Sequence, residues 1–226
     1  MKKIKLFLII TVLIFSFTDN TFAKGKKKFS GTITYNITYP DNSLSSEVQA
    51  MMPATMSITI KGMMTKTEIP TAMVNTIQII DTEKKTGYQL MDIMGQKYAI
   101  KTTAKDLEKG NDVKDVNIKY LDEHKTIAGI ECKKAEINYK TEDDSVATIF
   151  IYYSDEIDNK SINVFNPLYK NIKGVLMEYI IEGQNDIKMK FTAISVKKRR
   201  VSKKEFEVPK DYQITTQDEL KAMFGG

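Results

Sequence analysis

The sequence predicts a mainly β protein with few helices, an α+β chain with a curled antiparallel sheet or half-barrel and helices on its concave side. Three observations lead there. Apolar and polar residues alternate with period two through much of the chain, the mark of strands with one face buried and one in water. Two segments, Val146–Tyr153 and Val175–Ile181, are largely apolar on both faces, with Glu178 their one charge, which suits strands near the middle of a covered sheet. Helical spacing is confined to short stretches.

Taken in order, Ile33, Tyr35, Ile37 and Tyr39 alternate with Thr32, Thr34, Asn36 and Thr38. Ser43–Met52 places Leu44, Val48, Met51 and Met52 at helical spacing before Pro53. Met56, Ile58 and Ile60 then alternate with Ser57, Thr59 and Lys61. Strands follow over Val74–Asp81, Gly87–Asp92, Gln96–Lys101, Val113–Leu121, Thr126–Tyr139, Val146–Ser154, Val175–Glu182 and Ile187–Ala193. Gly and Asn clusters at 94–96, 109–112 and 183–186 separate several of them. Thr103–Lys109 reads as a short helix closed by Gly110. Asp155–Tyr169 is irregular. Thr216-Gln217-Asp218-Glu219 is a capping box opening a last helix. About ten strands joined by short links make one meandering sheet.

The first residues have a different character. A basic head, Met1–Lys5, precedes the apolar run Leu6–Phe17 and a polar stretch ending at Ala23. This is the layout of a secretory signal peptide over residues 1–23, with a single β-rich domain at 24–226. The apolar run is short of the roughly 20 residues a membrane-spanning helix needs. An exported protein, periplasmic or extracellular, is therefore expected. The chain carries 34 basic and 29 acidic residues, a net +5. Much of that excess sits in Lys24–Lys28 and Lys197–Lys204, too mild and local for nucleic acid. Cys132 is the only cysteine, so no internal disulfide forms.

Catalytic signals are sparse. His124, the single histidine, falls in Asp122-Glu123-His124-Lys125 and reads as a solvated turn residue. Cys132 reads as a small buried side chain, although Lys133 and Lys134 beside it would favour a thiolate. The acidic clusters Glu142–Asp144 and Asp155–Asp158 lack the spacing of a calcium loop. With no phosphate loop and no nucleophile motif, the expectation is a protein without enzymatic activity, cofactor or metal.

Three stretches carry a resemblance: Thr126–Ala135 (TIAGIECKKA), Gly174–Tyr179 (GVLMEY) and Phe206–Tyr212 (FEVPKDY). With the signal peptide, they resemble a family of exported β-rich bacterial proteins built on a domain of unknown function. That family is in turn similar to the outer-membrane lipoprotein carrier superfamily. The resemblance implies a periplasmic half-barrel whose concave-side helices shield a cavity for acyl chains. Those carriers tie their lid with a strand arginine. Here the only arginines are Arg199 and Arg200, so that role is not carried over, and generic lipid or apolar-ligand binding is what remains.

The candidate ligand-binding residues are Leu44, Val48, Met51, Met52 and Met56, an apolar and methionine-rich group able to repack around varied partners. The expected partner is a lipid or other apolar small molecule, with peripheral contact to the envelope membrane and no nucleic acid. Polar side chains filling the concave face would sink the carrier reading. The alternative is a structural or interaction module of the cell envelope that holds no ligand.

Overall fold

A computed structural model describes residues 29–40, 44–71, 75–93, 95–103, 106, 113–141, 144–157, 160–182 and 187–224. The signal-peptide reading, the Gly183–Asp186 turn and all but two residues of the Thr103–Lys109 helix lie outside these.

Strands β1 (Ser30–Thr38), β2 (Thr55–Lys61), β3 (Met64–Pro70), β4 (Asn75–Asp81), β5 (Thr86–Ile93) and β6 (Gln96–Thr102) form a meander. A second meander runs through β7 (Lys114–Ile127), β8 (Ile130–Lys140), β9 (Val146–Ser154), β10 (Val175–Glu182) and β11 (Lys188–Lys198). A three-residue strand, β12 (Gln213–Thr215), comes last. All twelve share one sheet in the order β12-β6-β5-β4-β3-β2-β1-β11-β10-β9-β8-β7. The mainly β prediction is met, and the sheet does not close on itself. β1 and β11, far apart in sequence, pair antiparallel from Gly31↔Lys198 to Thr38↔Lys190 and join the two meanders.

Side-chain alternation gives the sheet two faces. On the inner face Ile33, Tyr35 and Ile37 meet Met56, Ile58 and Ile60 on one side and Phe191 and Ala193 on the other, all buried. The core continues through Tyr179, Met177, Ile151, Ile137 and Cys132. Each large apolar side chain buried here contributes roughly 1.5–3 kcal/mol. Tyr179 stacks on Phe191 at 4.9 Å and meets the edges of Tyr35 and Tyr169 at 6.0 and 5.8 Å. Two of these hydroxyls reach across the core to backbone: Tyr35 donates to the Leu176 carbonyl and Tyr169 to that of Ile180. This half of the inner face is covered by residues 155–157 and 160–174, through buried Ile157, Tyr169 and Ile172. A short 3-10 turn, Lys160–Asn163, begins its middle part.

Glu178 turns to the outer face, which explains the one charge in an otherwise apolar strand. Lys125 reaches it at 3.0 Å and Lys190 at 3.3 Å. Partial burial opposes its charge, yet the hydrogen bond from Lys125 and the two ammonium charges hold the carboxyl below the usual glutamate range.

The structure departs from expectation at particular places. The predicted strand Thr126–Tyr139 is split by a turn at Ala128-Gly129, with φ of 50° and 76°. Positive φ at both positions is the type I′ pattern that matches strand twist in a two-residue hairpin. His124 consequently lies inside β7, not in a turn. β3 and β12 are strands that periodicity did not mark. Helix α1 (Ser46–Met51) is shorter than Ser43–Met52 and buries none of its residues.

Candidate functional site

The other half of the inner face, over β3–β6, is left open. Register places Thr65 opposite Ile80, Gln78 opposite Gln89, and Gln89 opposite Ile100. These side chains, with Met91 and Thr102, form the floor of a groove of about 880 Å³. One wall is the covering segment at Ile162, Phe165 and Asn166. The other is helix α2 (Gln217–Phe224), which contributes Leu220.

Each wall has a local cause. Asn163 is buried and donates from Nδ2 to the Gly174 carbonyl at 2.8 Å, while Tyr169 and Lys170 amides bond the Asn166 carbonyl. Gly174 sits at φ 142°, and a Cβ there would come within 2.1 Å of the Ser154 carbonyl oxygen, so only glycine lets the segment rejoin β10 so closely. The predicted capping box opens α2. Glu219 Oε2 accepts from the Thr216 amide at 2.8 Å, and the Glu219 amide donates to Thr216 Oγ1 at 3.2 Å. The Thr216 amide, followed by the Thr215 hydroxyl at 3.0 Å, holds the Glu219 carboxyl below its usual range.

The chain reaches that wall by an unusual route. After β11 it crosses the outer face as a strap, residues 199–212, burying Val201 and Phe206 against Ile79, Leu90 and Ala99. Arg199 binds Glu205, and its Nε donates to Thr32 on β1. The Lys61 ammonium donates to the Val201 carbonyl. Lys97 pairs with Asp211 at 2.8 Å. β12 then adds to β6 in parallel, from Gln213↔Tyr98 to Thr215↔Ile100, and delivers α2 to the inner face.

The groove floor is mixed. Ile80, Met91, Ile100, Ile162, Phe165 and Leu220 offer apolar surface; Thr65, Gln78, Gln89, Thr102 and Asn166 offer neutral hydrogen-bonding groups. Lys101, Asp106 and Asp218 are its charged members. A volume of this size lies in the usual range for small-molecule sites.

The five residues singled out from sequence lie elsewhere. Met56 is buried in the main core, Leu44 and Met52 are half-buried, and Val48 and Met51 are 43% and 59% exposed on α1. None of them lines the groove. The groove lining was not legible in sequence because its residues are every second position of strands whose other face is also covered, by the strap.

His124 is exposed, its Nδ1 2.9 Å from Glu131 Oε1. Cys132 is buried, and burial pushes its thiol up to about 11, far from a thiolate at neutral pH. Asp155 pairs with Lys133. Among the described residues no three His, Cys, Asp or Glu side chains converge as a metal site. Compared with known proteins, the sequence matches no family model and no curated relative.

Proposed function

We propose that the protein is an exported binding protein or carrier, without enzymatic activity, for a lipid or similar amphipathic ligand. In this reading the sheet acts as a half-barrel and the ligand lies in the inner-face groove beside α2. The open groove over β3–β6 is the observation that supports it. The mixed floor changes the cargo expected from sequence. A purely hydrocarbon ligand would leave Gln78 and Gln89 without partners, whereas a molecule with an apolar body and neutral polar groups answers both kinds of lining. The likeness of Thr126–Ala135 and Phe206–Tyr212 to exported carrier-like proteins is consistent with this reading.

The same polar floor favours a second reading, an envelope interaction module that holds no ligand. Mass spectrometry of organic extracts from protein recovered after export, without detergent, separates the two. A defined amphiphile at near-stoichiometric amount, lost from the groove-filling variant Met91→Trp/Ile80→Trp, is expected. A clean extract from well-folded wild-type protein overturns the carrier reading in favour of the module.

A further inference from the structure

The groove has an orientation that the strand order fixes. The β2–β3 turn at Gly62-Met63, the β4–β5 turn at Thr82–Lys85, the last residue of β6 and the last residue of β11 all lie at one end of the sheet. The pairings Gly31↔Lys198, Gly31↔Ile60, Lys61↔Met64, Asp81↔Thr86 and Gly87↔Thr102 require it. Thr82, Thr102, Thr103 and Asp106 of the groove lie at that same end. So does the basic run that leaves β11.

In that run Lys197, Lys198, Arg199, Arg200, Lys203 and Lys204 are all exposed. Arg199 is engaged by Glu205. Among the described residues, the other five have no carboxylate within 4.0 Å. Lys84 and Lys85 are exposed in the neighbouring β4–β5 turn, where Lys84 pairs with Asp81. Glu205 and Glu207 lie within or beside the run, Glu83 lies in the β4–β5 turn, and Glu68 acts on Arg199 across the strap. The run from Lys197 to Glu207 therefore remains strongly positive. Its backbone is pinned, by the Arg199 amide on the Ser30 carbonyl, by Lys61 on the Val201 carbonyl, and by the Ser202–Glu205 capping box. A fixed array of unpaired cations is a surface feature with a direction, unlike a charged tail.

We propose that this basic rim docks the protein, with the groove end at Thr82 and Thr102 leading, on an anionic lipid membrane surface. Each cation near such a surface adds attraction that fades within a Debye length. Docking at the groove end would let an amphiphile pass between bilayer and groove without crossing water. The inference builds on the groove as a ligand site, but the docking itself is read separately.

The experiment is flotation of the exported protein with vesicles of equal parts phosphatidylcholine and phosphatidylglycerol, against phosphatidylcholine alone. Wild-type protein is expected to float with the anionic vesicles only, and to be released at about 1 M salt, where the Debye length is about 3 Å. Lys198→Glu/Arg200→Glu/Lys203→Glu/Lys204→Glu is expected to bind at least about tenfold more weakly, while Met91→Trp/Ile80→Trp floats like wild type. Equal binding to neutral vesicles, salt-resistant binding, or an unaffected charge variant each overturns the proposal. So does capture by a soluble polyanion such as heparin with no vesicle binding. Salt-sensitive docking by a protein whose extract is clean keeps the rim and discards the carrier.

Discussion

Arg199 grips Glu205 through both carboxylate oxygens, Nη2 to Oε2 at 2.6 Å and Nη1 to Oε1 at 3.1 Å. The same carboxylate accepts the Ser202 amide at 2.9 Å, and the same guanidinium reaches Thr32. One planar pair thus fastens the strap to β1 while closing the 3-10 turn that follows it.

The Arg199 hydrogen bonds, with the Ser202 amide, lower the Glu205 carboxyl to about 2 from its ordinary 4.5. A depressed acid stabilises the fold above its unfolded value and loses that contribution as pH falls through the folded one. Arg199→Ala is expected to cost about 1 kcal/mol at neutral pH, given the pair's solvent exposure. The gap to wild type should be full above about pH 4.5 and close towards pH 2. Urea unfolding across that range tests it; a pH-independent gap refutes the pairing.

Tyr35→Phe removes the donor to the buried Leu176 carbonyl at 2.8 Å. A loss of about 1–3 kcal/mol is expected from the stranded acceptor. Chemical denaturation of both proteins measures it, and a neutral substitution would mean that the carbonyl finds another donor.

Ala128 occupies φ 50° at the first position of the β7–β8 turn. Ala128→Asn places the residue preferred before Gly129 in a type I′ turn, and should stabilise by roughly 0.5–1 kcal/mol. A lower melting temperature would contradict the assigned turn.

Cys132 should resist iodoacetamide at pH 8 in the native protein and react fully in denaturant, because burial removes both access and the thiolate. Rapid native labelling, followed by intact mass, would show that β8 opens locally.

Much of this architecture was legible from the chain. Period-two alternation located β1 and β2 within a residue or two, runs apolar on both faces located β9 and β10, and Thr216–Glu219 announced α2. β3 was missed because Met64–Pro70, half-buried on both faces, gives no clean alternation. β12 was missed because three residues carry no period at all. The inward role expected of Leu44–Met52 came from local spacing alone. That spacing cannot reveal that Ile157, Tyr169 and Ile172, from a segment more than a hundred residues later, cover the neighbouring core instead. Nor could the groove be seen, since it depends on which floor residues a distant cover leaves bare.

The β1–β11 seam also sets a schedule for folding. A chain emerging from its N-terminus can zip β2 through β6 by local hairpins, and later β7 through β10, each pairing spanning a short loop. The first strand, however, stays without its second neighbour until residues 188–198 arrive, and Tyr35 cannot be sealed against Tyr179 before then. Closing so long a loop is entropically slow and comes late. The two half-sheets would wait as separate, sticky intermediates, and residues 199–215, by strapping the outer face and edging β6, act as the clasp that ends that vulnerable interval.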